Sequence, residues 1–231
     1  LSHDMKVCMV DCDTQANLSN WMAHDQGEYE LADVLFKKAT VSQALVEVKD
    51  NLSMLVTATE GSELGHYIEG QLTAKPFVFK KIVEQLEKLG YDIVFFDLPP
   101  NFDKLHRSVI FAIDEVIAPA QPSYFSTEGL RAVTADVEEV NEGYNTNTVV
   151  NTIILNRINL SYGHHKESLK QSGALQDAGF FIHHVPQDVA LEKAQGNLKT
   201  IFEYEHSARS VEFLKDIAQK IKEKTTEPVN A

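Results

Sequence analysis

The chain has little cysteine: two residues, Cys8 and Cys12, both in one short segment. On an extended strand they stand about 13 Å apart at ~3.3 Å per residue, too far for a disulfide. They read as buried thiols of a cytosolic protein, and a zinc site would need further ligands nearby. Positive charge is also scarce. Against 34 Asp and Glu there are 21 Lys and Arg, for a net charge of −13. Such a balance does not advertise the Lys/Arg surface that neutralises nucleic-acid phosphates, although a local basic patch is compatible with it. No apolar run approaches the ~20 residues of a membrane span. No secretory leader, internal repeat or low-complexity tract is visible. What is there is an ordinary globular composition: 231 residues, 43% hydrophobic and 24% charged, enough for one α/β domain with a sizeable core.

Two stretches carry chemistry. The first is Lys6 to Ser19, KVCMVDCDTQANLS. Val7-Cys8-Met9-Val10 reads as a short buried strand, and Asp11 and Asp13, two apart, are predicted to face one side where it ends. A polar turn, Thr14 to Asn17, leads to a helix from Leu18. Two acids at the carboxyl end of a parallel strand suit a hydrated Mg²⁺ and a positioned water. The second is Asp92 to Pro100, DIVFFDLPP. Ile93 to Phe96 is apolar throughout, as in the middle of a parallel sheet, Asp97 ends it, and two prolines forbid a helix. Alone, Asp97 reads as a turn cap. Together with Asp11, Asp13 and Pro99-Pro100 it reads as functional.

The first stretch resembles the ParA/Soj partition ATPases and their MinD relatives, the deviant-Walker P-loop class. In the ParA branch it typically reads VDxDPQxN; here it is Val10-Asp11-Cys12-Asp13-Thr14-Gln15-Ala16-Asn17, with Thr14 for the usual Pro. The Asp97-x-Pro-Pro stretch is similar to the family's Walker-B-like motif. The likeness runs from Lys6 to about Ala218. It implies an α/β fold with a mostly parallel central sheet and helices on both faces. It also implies a phosphate loop, KGGxGKT, upstream. Because residues 1–5 resemble the end of the first helix, the first strand and the P-loop are expected to be missing. ATPase activity is then uncertain for this chain, though expected of the intact protein. The domain is expected over residues 1–222, with a polar tail from Glu223 to Ala231.

The resemblance also assigns roles. Asp13 positions the attacking water, while Asp11 and Asp97 hold the water shell of Mg²⁺. Asn17 senses the γ-phosphate. Asn156 reads the adenine edge, which needs both a donor and an acceptor, although Asn after a strand is also a common turn residue. The Pro186 backbone lies against the base. The cofactors implied are ATP and Mg²⁺. The partners implied are a second copy of the chain when ATP is bound, a ParB-like centromere-binding protein and non-specific DNA, with no membrane and a cytoplasmic, nucleoid-associated location. Gln187 replaces the Arg that usually follows Pro186, and Arg209 departs from the spacing of a DNA-contacting Arg. Two other readings stand beside this one: an interaction module without ATPase activity, and a MinD-like positioning ATPase.

Elsewhere the patterns predict helices at 30–48, at Phe77 to Leu89 with a stripe of Val78, Ile82, Leu86 and Leu89, at 104–113, 127–142 and about 206–222. Strands are predicted at 52–57, 115–119, 149–155 and 180–185. Ser126 is placed to cap the helix after it. His164-His165 and His183-His184 read as solvent-exposed rather than chelating, since neighbours on a strand face opposite ways.

Overall fold

Val7 to Asp11 forms strand β1, and both its faces are covered: Val7, Cys8, Val10 and Asp11 are all buried. That is why the run is apolar without alternation. The computed structural model describes residues 4–23, 26–100, 102–122 and 127–226. These gather into two compact units, Leu1–Ala112 with Lys224–Ala231, and Ile113–Glu223.

In the first unit β1 is followed by α1 (Asn17–Met22), α2 (Leu31–Leu35), α3 (Val41–Ala44), β2 (Leu45–Lys49), β3 (Leu52–Leu55), α4 (Leu64–Gly70), α5 (Val78–Lys88), β4 (Ile93–Asp97) and α6 (Lys104–Ile110). The sheet order is β2-β3-β1-β4. β1 runs parallel to β3 on one side and to β4 on the other, with Val7 opposite Ile93 and Asp11 opposite Asp97. The expectation of a missing first strand is therefore overturned: an N-terminal strand is present, inside its sheet, and the Ile93 to Phe96 strand has it as a parallel neighbour. A second correction concerns 45–49. Of the two helices expected within 30–48, the second, which starts after Thr40, ends at Ala44, and Leu45-Val46-Glu47-Val48-Lys49 pairs antiparallel with β3. Its alternating pattern is a strand's, not a helix's.

α5 shows how local sequence sets packing. Phe79, Ile82 and Leu86, at i, i+3 and i+7, are its buried face, while Leu89 stays exposed. Burying each such side chain stabilises by about 1.5–3 kcal/mol. Gly90, at φ +80°, ends the helix in a left-handed turn that a Cβ would strain, and Tyr91 N–H closes back to the Leu86 carbonyl.

The second unit holds β5 (Glu115–Ala120), α7 (Thr127–Tyr144), β6 (Val149–Ile158), α8 (Gly163–Asp177), β7 (Phe181–Pro186), α9 (Val189–Gly196), α10 (Ile201–Tyr204) and, up to Glu223, α11 (Ser210–Thr226). Its sheet, β5-β6-β7, is parallel throughout. Ile153, Leu155, Ile158 and Ile182 form its buried cluster. β6 runs three residues beyond the predicted Leu155, through an irregularity at Asn156-Arg157 where Arg157 adopts φ +60°. Parallel pairing thus dominates both sheets, as an α/β chain requires. The cap predicted at Ser126 and the last residues of the tail, 227–231, lie outside the described residues.

Candidate active site

The carboxyl ends of β1 and β4 bring Asp11, Asp13 and Asp97 together. Asp11 and Asp97 are register partners on adjacent strands, and Cys12 N–H donates to the Asp97 carbonyl at 2.9 Å. The three acids do not play equal parts. Asp97 ends β4 exposed to solvent. Partial burial first, then the neighbouring charges of Asp11 and Asp13, push its carboxyl above the ordinary aspartate value. Asp13 lies past the strand and is half-buried. One of its oxygens accepts Gln15 N–H at 2.9 Å, and its carbonyl accepts Ala16 N–H at 2.9 Å. The other carboxylate oxygen has no partner among the described residues, which leaves it available to a water.

Asp11 is fully buried, so the pair does not present two acids side by side to solvent. Its Oδ2 accepts Ser19 N–H at 2.8 Å and the Ser19 hydroxyl at 2.7 Å, and its Oδ1 accepts Asp13 N–H at 3.1 Å. Ser19 and Thr57, both fully buried, complete this network and were missed from the sequence, where Ser19 reads as an ordinary helix residue. Asn17 opens α1 with its side chain exposed, after Ala16 in the left-handed region at φ 52°. Among the described residues no three His, Cys, Asp or Glu side chains stand so as to grip a metal ion directly. The cluster suits a hydrated cation held through its waters.

In the second unit, Asn156 sits half-buried at the β6 irregularity, its Oδ1 accepting the N–H of Arg157 at 2.8 Å. Pro186 is buried at the end of β7, opposite Ile158, and Gln187 N–H donates to the Ile158 carbonyl at 2.8 Å. A cavity of about 550 Å³ lies alongside. Its polar lining comes from Asn159, Ser161, Gln187 and Arg209, its apolar lining from Leu160 and Val189 among others. Asn159 Nδ2 donates to Gln187 Oε1 at 3.1 Å. Neither Asn156 nor Pro186 lines the cavity; Asn159, which the sequence did not single out, does, together with Gln187 and Arg209.

The histidine reading needs a correction. His165 is buried, and its Nδ1 accepts Asn159 N–H at 2.9 Å. Burial, then the adjacent His164, hold its pKa below the usual imidazole value. His184 is half-buried, with Ser172 Oγ 3.4 Å from its Nε2.

The sequence profile described as an AAA domain matches residues 1–150. The chain belongs to this AAA-domain family. The protein BBD21 of Borreliella burgdorferi, named only as uncharacterized, is 32% identical over 213 residues, which span 91% of this chain and 85% of its own length. The sporulation initiation inhibitor Soj of Bacillus subtilis is 23% identical over 219 residues, 94% of this chain and 86% of Soj. The crystal structure of the cell-division ATPase MinD from Pyrococcus furiosus superposes with a TM-score of 0.77 at 18% identity, covering 96% of this chain and 87% of MinD. That likeness shows the α/β P-loop NTPase fold. Relatives named for chromosome partitioning and cell division place the chain among partition and positioning ATPases in general.

The family match begins at residue 1 and the superposition extends over nearly the whole chain. These findings overturn the expected loss of the N-terminal P-loop unit. β1, its turn and α1 form an intact strand–turn–helix, and the doubt about ATPase activity that rested on a missing loop falls with that expectation. Among the described residues no helix is long and apolar enough to cross a membrane.

Proposed function

We propose that this chain is an ATP hydrolase of the partition type, working as one ATPase domain over residues 1–222. The observation that carries the reading is the convergence of Asp11, Asp13 and Asp97 at adjacent parallel strand ends in a chain of this family. ATP with Mg²⁺ would supply the phosphoanhydride and neutralise its charge. The donor set fits a hydrated cation: Asp97 faces solvent with a carboxyl raised by burial and by two acidic neighbours, a penalty that a divalent charge relieves. Asp97 holds the water shell, with Asp11 buried behind it. Asp13 turns its free oxygen to the attacking water, and Asn17, exposed at the start of α1, senses the γ-phosphate. Adenine recognition falls to Asn156 and the backbone at Pro186, aided by the amides of Asn159 and Gln187 in the polar cavity.

In this reading ATP binding couples to dimerisation, and a DNA-bound ParB-like protein stimulates turnover. Non-specific DNA is the track. With a net charge of −13, DNA binding rests on a local patch and weakens steeply with salt. The test is Asp13→Ala. The variant retains ATP binding and loses about 10²- to 10⁴-fold in turnover, the usual worth of a positioned acid–base group. Normal turnover would remove Asp13 from the mechanism.

A further inference from the structure

The acidic cluster is held from behind by a buried relay that spans three elements. Thr57 lies just past β3, Ser19 in the first turn of α1 and Asp11 at the end of β1. Thr57 N–H donates to Ser19 Oγ at 2.9 Å. An N–H can only donate and a carboxylate can only accept, so the Ser19 proton is committed to Asp11 Oδ2 at 2.7 Å. Ser19 N–H adds a second bond to the same oxygen at 2.8 Å. Thr57 Oγ1 returns to the Asp11 carbonyl at 2.7 Å, which ties the main chain of the strand end to β3 as well. With Oδ2 pinned, Asp11 turns Oδ1 toward Asp13 N–H at 3.1 Å.

Asp13 in turn carries the turn after it, through Gln15 N–H and Ala16 N–H. We infer that Ser19 is a positioning residue of the hydrolysis: fixed by the Thr57 amide, it orients Asp11, and Asp11 sets where the Asp13 turn stands. The inference rests on the ATPase reading above and goes beyond it in giving Asp11 a mainly orienting part. A helix serine usually bonds within its own turn or faces water. Here the hydroxyl is fully buried and used at both ends. Removing it takes away the shortest of the three bonds to the Asp11 carboxylate, so that only the Ser19 and Asp13 amides hold it, and leaves the Thr57 amide without its hydroxyl acceptor. A displacement of about 1 Å at a reacting group can cost on the order of 10²-fold in rate.

The experiment compares ATP turnover of the full chain with Ser19→Ala, Ser19→Thr and Ile82→Ala, at a temperature where circular dichroism shows all of them folded. Ile82 lies in the core face of α5, none of whose residues takes part in the relay's hydrogen bonds, and its truncation supplies a general loss of stability. Ser19→Ala should lower kcat by about ten- to a hundred-fold with KM held within about threefold. Ser19→Thr, which keeps the hydroxyl, should restore kcat to within about threefold of the parent, and Ile82→Ala should keep it. A Ser19→Ala kcat within about twofold of the parent, or an equal fall in Ile82→Ala, overturns the positioning role. If the parent chain itself turns over no ATP, the ATPase reading falls, and the positioning role with it.

Discussion

Replacing Asp97 by Asn should make the protein more stable while removing its proposed cation site. The magnitude follows from the strand ends. Asp11 and Asp97 are register partners on neighbouring strands, which lie ~4.8 Å apart. Allowing for side-chain reach, the carboxylates of Asp11 and Asp13 stand at roughly 6 Å from that of Asp97. One such pair repels by about 0.7 kcal/mol in bulk water and about 3 kcal/mol at an effective dielectric of 20. Asp97 keeps solvent access, and Ser19 already spreads the charge of Asp11, so the low end applies. The gain should be about 1–2 kcal/mol at pH 7 and low salt.

The pH dependence identifies the cause. The folded protein holds the Asp97 carboxyl above its ordinary value, by partial burial and then by Asp11 and Asp13. Below the ordinary aspartate value, near 4, the group is protonated in both the folded and unfolded chain and costs nothing. As pH rises through the folded value, the wild type acquires the penalty and Asp97→Asn does not. Urea unfolding of both proteins between about pH 3 and pH 8 reads this directly. The curves should meet at the acid end and separate toward neutrality. Molar salt, or millimolar Mg²⁺ added to the wild type, should narrow the gap. A variant equal to or weaker than the wild type at pH 7, or a gap that persists at pH 3, would refute the charge-cluster argument.

Lys37 follows α2 in the left-handed region at φ 61°, exposed, with its N–H bonded to the Val34 carbonyl and Lys38 N–H to that of Asp33. Lys37→Gly should therefore stabilise by about 1 kcal/mol, read as a rise in the urea midpoint. Asp188 caps α9 through Ala190 N–H and holds the start of α11 through Ser210 N–H and Oγ, each at 3.0 Å. Asp188→Ala should cost about 2–3 kcal/mol by the same measurement. Burial opposes ionisation of Asp188, but the donors of Ser210 and Ala190, with Arg209, outweigh it and hold the carboxyl below its usual value. Its contribution is thus present above about pH 4 and lost as pH falls through the folded value, so the wild type and Asp188→Ala should converge in acid. Ile82→Ala should cost about 2–5 kcal/mol, as a truncation at a buried core position does.

Much of this was legible because strong signals coincided. Val7 to Val10 and Ile93 to Phe96 are apolar without interruption, each ends in Asp, and each is a strand, although only β1 is covered on both faces while β4 lies at the edge of its sheet and is half-buried beyond Ile93. The helix at α5 was marked by its period and by Gly90. The errors have equally local causes. Leu45 to Lys49 followed a helix start at Thr40, and the helical reading was carried past Ala44 although the alternation had changed. Thr40 still caps α3, accepting Gln43 N–H at 3.3 Å. The extension of β6 depends on Arg157 taking a positive φ, which a sequence does not announce at Arg. α9 and α10, in the stretch after Pro186, are eight and four residues long, too short for a helical period to show. The burial of Asp11 and His165 was out of reach for another reason. A carboxylate or an imidazole is buried only where backbone and hydroxyl donors converge on it; those donors, Ser19 for one and Asn159 for the other, lie only eight and six residues away, but the turn that folds each pair together carries no sequence signal of its own.

The two cysteines lie in β1 and directly after it, and both are fully covered. Burial pushes the Cys8 thiol up to about 12, and Cys12 is raised well above the ordinary range by burial and then by Asp11 and Asp97. Only a thiolate attacks a disulfide reagent, so both sulfurs are silent while the strand stays in place. The chain thereby carries its own opening clock. The rate at which an aromatic disulfide colours in native buffer counts how often β1 leaves its sheet, and a nucleotide that tightens the acidic end of that strand should slow the count, with no probe attached and no residue changed.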